Sequence, residues 1–158
     1  MDNTNNVTKV FDFIKKCRVF YIATVEDNQP RVRPFGAIRP FGGKLYFITG
    51  DGKAIYRQLE ANPKLEICTY ADGEWIRITA EAEFEDNAEV SALMRENAPD
   101  SAKALRSLPP EEMEAVMKKR PGLRNMMGAP GSKQVVFYLK NATATFYSTT
   151  NENITVTF

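Results

Sequence analysis

The first apolar residues of the chain recur with the period of a helix. They are Val7, Val10, Phe11 and Ile14. This spacing predicts a short amphipathic helix that ends near Lys16. From Arg18 to Val25 the sequence is rich in β-branched and aromatic residues, which is typical of a strand. The chain is therefore expected to begin with a helix and a strand.

Further strands are predicted in the first half of the chain, over 31–38, 45–49, 65–70 and 74–84. Pro34 interrupts the first of these. Because proline cannot donate to a β ladder, that strand is expected at an edge, a bulge or a bend. Residues 53–62 follow helical spacing instead, and the Asn62-Pro63 pair ends this helix. An Asp72-Gly73 pair predicts a hairpin between the last two strands.

A helical insert is predicted over 86–131, where Ala, Glu, Lys, Met and Leu dominate. Its helices are expected over 87–96 and 110–119, with a connector over 97–109 between them. Residues 126–131 are expected to form a loop.

Strands return after the insert. They are predicted over 134–139 and 143–147, and the alternating tail 154–158 is a candidate for a last strand. The strands come in runs joined by short turns, unlike the strand–helix alternation of a parallel sheet. This order favours a single domain over residues 1–158, folded as a small antiparallel β-barrel with helices at its edge.

Composition excludes several classes of protein. The net charge of +1 argues against a dedicated nucleic-acid binder. The chain has no His, which excludes His-based catalytic triads, His-dependent zinc sites and the usual proximal ligand of a haem. No metal site is expected, so an enzyme of this composition would rely on a bound organic cofactor.

The expected location is the cytoplasm, without a membrane span. The first eight residues are polar and show no signal peptide, and no run approaches 18 apolar residues. Cys17 and Cys68 cannot form a disulfide framework, so they are interpreted as reduced thiols.

Arginines on one predicted strand form the first candidate site. Arg31 and Arg33 are two residues apart and leave the same face, with Arg39 close by. Guanidinium groups match phosphate oxygens, so an anion site is one interpretation. A solvated sheet face is the other.

A second candidate is Thr49-Gly50-Asp51-Gly52-Lys53, between a strand and a helix. A helix N-terminus presents free N–H groups to anions, and a cation in the first turn is unfavourable unless an anion compensates it. The alternative is an ordinary loop. Trp75, the only Trp, is either a residue of the barrel rim or a flat wall against a planar ligand.

In their order and spacing, several segments resemble the FMN-binding split-barrel family, the pyridoxamine 5′-phosphate oxidase-like superfamily. The resemblance covers most of the chain, from Val7 to about Tyr147. The segments that carry it are Phe20-Tyr21-Ile22-Ala23-Thr24-Val25, Gln29-Pro30-Arg31-Val32-Arg33-Pro34-Phe35-Gly36, Leu45-Tyr46-Phe47-Ile48-Thr49, Lys53 and Gln58-Leu59-Glu60-Ala61-Asn62-Pro63. The fold it implies is mainly β with flanking helices: a small antiparallel split β-barrel of Greek-key type, with a helical insert.

The resemblance also implies FMN as cofactor. It assigns Arg33 and Lys53 to the FMN phosphate and Trp75 to the flavin. The remaining residues it implies at the cofactor fall into two stretches. Their backbone or side chains would lie along the flavin (Pro34, Phe35 and Gly36) and at the ribityl chain and ring (Ile48, Thr49 and Gly50).

The function implied is that of an FMN-dependent oxidoreductase, similar to flavin reductases or nitroreductases, acting on a small-molecule electron donor and acceptor. Alternatives are a non-catalytic FMN-binding or redox-sensing module and a deazaflavin-binding relative. The chain lacks the C-terminal Arg-containing stretch of true pyridoxamine phosphate oxidases, so vitamin B6 oxidation is not expected. A homodimer with FMN at its interface is expected, partly because four aromatic residues are predicted to be exposed and to need cover. They are Phe35, Phe41, Trp75 and Tyr147.

Overall fold

Alternating apolar residues build most of this chain into antiparallel strands. The computed structural model describes residues 3–129 and 131–158 and contains, within them, six helices and eight strands. In chain order these are α1 (Asn3–Cys17), β1 (Phe20–Glu26), β2 (Gln29–Phe35), β3 (Ile38–Phe41), β4 (Lys44–Gly50), α2 (Ala54–Ala61), β5 (Lys64–Ala71), β6 (Glu74–Glu85), α3 (Ala88–Glu96), α4 (Asp100–Arg106), α5 (Pro110–Lys119), α6 (Leu123–Met127), β7 (Gln134–Ser148) and β8 (Ile154–Thr157).

The strands form one antiparallel sheet in the order β2-β1-β5-β6-β7-β4-β3, with β8 paired to β7. Three strands separate β1 from β4 in this order, yet the rings of Phe20 and Phe47 lie 5.7 Å apart. The sheet therefore curls around a shared core, while its hydrogen bonding stays open between β2 and β3. This confirms the predicted mainly β, antiparallel split-barrel fold.

The core lies inside the curl and under the first two helices. From α1, Val7, Val10 and Ile14 are buried against the sheet, as their spacing predicted. From α2, Ile55 and Leu59 join the same cluster. Both predicted helices are confirmed, and α1 begins at Asn3 and ends at Cys17, next to the predicted end near Lys16.

Two predicted boundaries are wrong for local reasons. The strand expected over 31–38 is broken at Gly36-Ala37 into β2 and β3, which pair with different neighbours. The strands expected over 134–139 and 143–147 are one continuous β7. Asn141 adopts a φ of 53°, close to a register shift opposite Thr79 and Glu81, so a bulge carries the strand through. Pro34 does lie in an edge strand, as predicted.

The insert between β6 and β7 holds α3 to α6. Its two predicted helices are confirmed, and the Asn87 side chain caps α3 by accepting a hydrogen bond from the Val90 N–H. The connector contains α4, and the loop expected over 126–131 begins inside α6. Within the residues that the structure describes, no helix is both long and apolar enough to cross a membrane.

A carboxylate cluster ties the insert to the sheet. Glu85, at the end of β6, accepts hydrogen bonds from Lys44 Nζ at 2.8 Å, Tyr46 OH at 2.5 Å and Asn87 Nδ2 at 3.1 Å. These contacts lower the pKa of Glu85 to about 2, with the hydrogen bond from Lys44 as the largest cause. Glu85 thus joins β4, β6 and the cap of α3 in its charged form.

The lowered pKa makes the stability of the fold depend on pH in a defined window. The contribution of Glu85 is present above the usual glutamate pKa near 4.5 and is lost as the pH falls toward 2. We expect Glu85→Gln to lower the free energy of unfolding by a constant amount above about pH 5.5, and this difference to shrink as acid protonates the wild-type carboxylate. Urea unfolding across pH measures it, with Glu152→Gln in the turn before β8 as control. A pH-independent difference would contradict the assignment.

Candidate functional site

Arg33, on edge strand β2, turns inward across β1 instead of into solvent. Its Nη1 donates to the Ile22 carbonyl at 3.1 Å and to Thr24 Oγ1 at 2.7 Å, and its Nη2 donates to Gln58 Oε1 at 2.6 Å. Burial lowers the pKa of the guanidinium, with a smaller effect from Arg31. The side chain is therefore held in a fixed, partly desolvated position.

The partners of Arg33 form a buried polar network between β1 and α2. Thr24 and Gln58 are almost fully buried, and the Thr24 hydroxyl donates to Gln58 Oε1 at 2.6 Å. Gln58 Nε2 in turn donates to Glu26, which also pairs with Arg31 at 2.8 Å. Arg31 thus forms an ion pair with a carboxylate, whereas Arg33 on the same strand contacts only neutral groups.

Lys53 lies at the junction of β4 and α2 and contacts the insert. Its backbone N–H donates to the Gly50 carbonyl at 3.0 Å, and its Nζ donates to the Met126 carbonyl at 3.0 Å. Burial is the main cause that lowers the pKa of the Lys53 ammonium, followed by the charges of Arg106 and Arg33. Arg33 contacts Gln58 of the helix that Lys53 begins, and Arg106 contacts Gln134, which lies opposite Gly50 at the end of β4. These three cations therefore lie around the β4–α2 junction (the cationic cluster: Arg33, Lys53 and Arg106).

Arg106, at the end of α4, completes this cluster from the insert. Partial burial lowers the pKa of its guanidinium. When the Gln134 amide is oriented with its oxygen toward α4, that oxygen accepts from Arg106 Nη1 at 2.5 Å and from Nη2 at 3.2 Å. No pattern in the sequence pointed to Arg106, because residues 97–109 are predicted only as a connector and its contact with Gln134 is long-range. Gln58 did leave a signal, as a polar residue on the apolar face of α2.

Thr49 carries an unpaired polar atom on β4. Its side-chain hydroxyl is buried and has no hydrogen-bond partner among the residues that the structure describes. A buried hydroxyl without a partner costs about 1–3 kcal/mol. The Thr49 hydroxyl is therefore free to form a hydrogen bond with a bound molecule.

A cavity of about 930 Å³ opens beside the cluster, between the β2–β3 junction, β4 and helices α3 and α4. Gly36 and Ile48, two of the predicted site residues, line it together with Arg106 and Gln134. Its volume falls within the range of small-molecule sites.

The other predicted site residues do not all lie at the cavity. Arg33 contacts Gln58 in the helix that Lys53 begins, and Thr49 and Gly50 lie on the strand that leads to Lys53. Pro34 is exposed on β2, whereas the Phe35 side chain packs against the core, 6.1 Å from the ring of Phe20.

Trp75 is not brought to this site within one chain. It stacks on Tyr147 with ring centroids 5.0 Å apart and an interplanar angle of 5°. Along β7, Trp75 lies opposite Tyr147 and Thr49 lies opposite Val135. That stretch corresponds to about 40 Å of strand at roughly 3.3 Å per residue. Trp75 is therefore remote from Thr49 along β7 of its own chain.

These features define an antiparallel split-barrel protein with a cationic cluster at the edge of its cavity. The sequence model of the pyridoxamine 5′-phosphate oxidase family matches residues 7–122. The chain belongs to this family. No curated protein matches the sequence.

Solved structures with similar folds agree with this placement. A NimC/NimA family protein from Clostridium acetobutylicum is 31% identical, and the alignment covers 99% of this chain and 95% of that chain with a TM-score of 0.73. PhzG from Burkholderia lata is 13% identical, covering 98% and 90% with a TM-score of 0.65. A pyridoxamine 5′-phosphate oxidase-related, FMN-binding protein from Nostoc punctiforme is 17% identical, covering 98% and 94% with a TM-score of 0.54. The last two likenesses show the fold alone.

Gly128 sets the path of the insert around Lys53. Its φ is +81°, and a Cβ there would lie 3.4 Å from Lys53 Cγ and 3.3 Å from Ser132 Oγ. Gly131 has nearly the same φ, +83°, but a Cβ there would meet nothing within 4 Å. Gly128 also has a ψ of −176°, a combination almost confined to glycine, so a side chain there meets backbone strain and crowding together.

We expect Gly131→Ala to cost about 1–2 kcal/mol of stability, the strain of an L-residue in this region. Gly128→Ala should cost a further ~1–3 kcal/mol, because its φ and ψ are almost confined to glycine and because Lys53 and Ser132 must also move. Urea unfolding of both variants measures the difference. Equal losses would show that the insert does not pack tightly on Lys53.

Proposed function

We propose that this protein binds FMN and is an FMN-dependent oxidoreductase, similar to flavin reductases or nitroreductases. The observation that carries the proposal is the cationic cluster, in which Arg33 is fixed on Gln58 of α2 and Lys53 lies at the N-terminus of the same helix. A cluster of this kind is stabilised by a multiply charged anion, and a phosphate ester supplies one.

The residues present fit the phosphate end of such a cofactor. Each charge-assisted hydrogen bond from Arg33 or Lys53 to a phosphate oxygen would contribute about 1.5–3 kcal/mol. Lys53 is also the N-cap of α2, and no side-chain hydrogen bond caps this helix. Its first N–H groups therefore remain available to an anion, and the helix dipole favours one there.

The rest of the cofactor would use the strand residues. We assign the unpaired Thr49 hydroxyl to a polar atom of the ribityl chain or ring, together with Ile48 and Gly50 of the same strand. The backbone of Pro34, Phe35 and Gly36 would lie along the flavin, where β2 breaks before β3. When bound, FMN supplies hydride and single-electron transfer, while the protein supplies position and electric field.

The comparisons support this proposal without testing it. The Nostoc punctiforme protein of similar fold is named as FMN-binding, and the family to which this chain belongs is named for an oxidase. Turnover separates an oxidoreductase from a non-catalytic flavin-binding or redox-sensing module. The remaining alternative is a deazaflavin-binding relative, and binding of a deazaflavin in place of FMN would identify it.

We also propose a homodimer with FMN at its interface. Tyr21 and Tyr70 are 50% and 65% exposed on the outer face of the sheet, next to the stack of Trp75 on Tyr147. The expectation that Phe35 and Phe41 are exposed is wrong, because both pack against the chain's own apolar clusters, and Trp75 and Tyr147 are half-buried. A second copy on this face would cover the tyrosines and could bring Trp75 to the partner's site.

Removal of the phosphate ligands tests the cofactor. Lys53→Met keeps the apolar stem of Lys53 against Gly128 but removes its charge. We expect it to weaken FMN binding by about 1.5–3 kcal/mol, measured by calorimetry on flavin-free protein. Adding Arg33→Ala should weaken binding further, and it should also destabilise the fold because Thr24 Oγ1 loses its donor and Gln58 Oε1 keeps only the Thr24 hydroxyl.

Lys140→Met is the matched control, because Lys140 is exposed, pairs with Glu83 and belongs neither to the cationic cluster nor to the cavity lining. It should leave FMN affinity unchanged. Equal FMN affinity of Lys53→Met and wild type would show that the phosphate site is misplaced.

Two measurements test the dimer: sedimentation of the wild-type protein and FMN binding by a Trp75 variant. We expect a dimer at micromolar concentration, and we expect Trp75→Ala to weaken FMN binding although Trp75 is remote from Thr49 in its own chain. Ile154→Ala, on exposed β8, serves as control. A monomer that binds FMN with the affinity of wild type after loss of Trp75 would contradict the shared site.

A further inference from the structure

A short segment of the insert lies against the residues that join β4 to α2. We call it the strap (residues 123–129 and 131–133), and it consists of α6 and the described residues between α6 and β7. Lys53 Nζ donates to the Met126 carbonyl of the strap at 3.0 Å, and a Cβ at Gly128 would lie 3.4 Å from Lys53 Cγ. The strap therefore helps to set where the Lys53 ammonium lies.

Apolar packing contributes little to the docking of the strap. None of the residues of α6 is buried, and Met126 is 72% exposed. An element with so little buried apolar surface belongs to the least stable parts of a fold. Polar contacts must therefore supply much of what keeps the strap docked.

Asp51 supplies two such contacts at the end of the strap. Its backbone N–H donates to the Lys133 carbonyl at 3.0 Å, and its carboxylate accepts from the Lys133 N–H at 2.9 Å. The first bond lies next to the Gly50–Gln134 pair that ends the β4–β7 ladder. The second depends on the side chain of Asp51, so a substitution can remove it alone.

The charge of Asp51 is unfavourable for an anion site. This carboxylate is two residues from Lys53 in the sequence, and Lys53 is one of the two cations assigned to the phosphate. A negative charge near a bound phosphate weakens its binding. Electrostatics alone therefore favours a neutral residue at position 51, whereas the hydrogen bond to the strap favours an acceptor oxygen there. The two effects have opposite signs, so substitutions separate them.

We propose that Asp51 is a positioning residue for the phosphate site. Its carboxylate keeps the strap docked, and the docked strap holds the Lys53 ammonium where a phosphate group binds. The identity of the ligand rests on the proposed function, whereas the docking of the strap by Asp51 does not. Because such coupling is reciprocal, a bound phosphate also stabilises the docked strap.

Substitutions at position 51 test the sign of the effect. We expect Asp51→Ala to bind FMN at least about fivefold more weakly than wild type, although it removes a negative charge. Asp51→Asn keeps an acceptor oxygen and should bind FMN at least as tightly as wild type. Riboflavin, which lacks the phosphate, should bind wild type and Asp51→Ala equally. Calorimetry on flavin-free protein measures these affinities, and thermal unfolding verifies that the variants are folded. Asp12→Ala, at an exposed position of α1, is the matched control and should leave FMN affinity unchanged.

A disulfide across the strap provides a rescue. A Cβ at Gly52 would lie 3.3 Å from the Ser132 Cβ, close to the separation found in disulfides, and Gly52 has no positive φ. Gly52→Cys/Ser132→Cys should therefore lock the docked strap when oxidised, in a background with Cys17→Ser and Cys68→Ser. Mass spectrometry verifies the bond. In this background, oxidation should restore the FMN affinity of Asp51→Ala, and dithiothreitol should abolish the rescue.

Proteolysis measures the strap without any flavin. Trypsin cuts after Arg124, which is exposed in α6. Cleavage of this kind follows the population of the open form when opening is fast. We expect faster cleavage after Arg124 in Asp51→Ala than in wild type or Asp51→Asn, and slower cleavage of wild type when pyrophosphate is added.

Several results would overturn the proposal. They are unchanged or tighter FMN binding by Asp51→Ala, equal cleavage after Arg124 in Asp51→Ala and wild type, and a verified disulfide that does not restore FMN affinity. Faster cleavage in pyrophosphate would also overturn it, because the strap would then have to leave before phosphate binds. If wild type does not bind FMN, the proposed cofactor is wrong, and cleavage with and without pyrophosphate still decides the role of Asp51.

Discussion

Uncompensated positive charge beside β4 is the constraint on which the rest of the site depends. The Lys53 ammonium is half-buried, and the neighbouring charges that shift its pKa belong to Arg106 and Arg33. Like charges in a partly desolvated setting repel one another more strongly than they would in water. An anionic ligand relieves this repulsion, which links the stability of the site to its occupancy.

The three cations stay close together because separate contacts within the fold hold each of them in place. Arg33 is held by buried Thr24 and Gln58, so its position is set by the packing of β1 against α2. Lys53 is held by the Met126 carbonyl, and Gly128 lets the insert approach it. The insert is therefore part of the site, and the cluster assembles only when it docks on the sheet.

The sequence predicts the periodic parts of this structure well and its long-range contacts poorly. The spacing of α1 and α5 and the edge position forced by Pro34 are visible locally. The continuity of β7 is not, because Asn141 looks like a turn residue and acts here as a bulge. The position of Trp75 depends on strand register, and that of Arg106 on how the insert docks, so neither follows from local pattern.

Comparison of FMN with riboflavin measures the central claim most directly, because riboflavin has the same ring and ribityl chain but no phosphate. If the cationic cluster exists to hold a phosphate ester, FMN should bind the flavin-free protein at least about a hundredfold more tightly, the effect of two charge-assisted contacts. Equal affinities for the two flavins would contradict the account, since the cluster would then contribute nothing to cofactor binding.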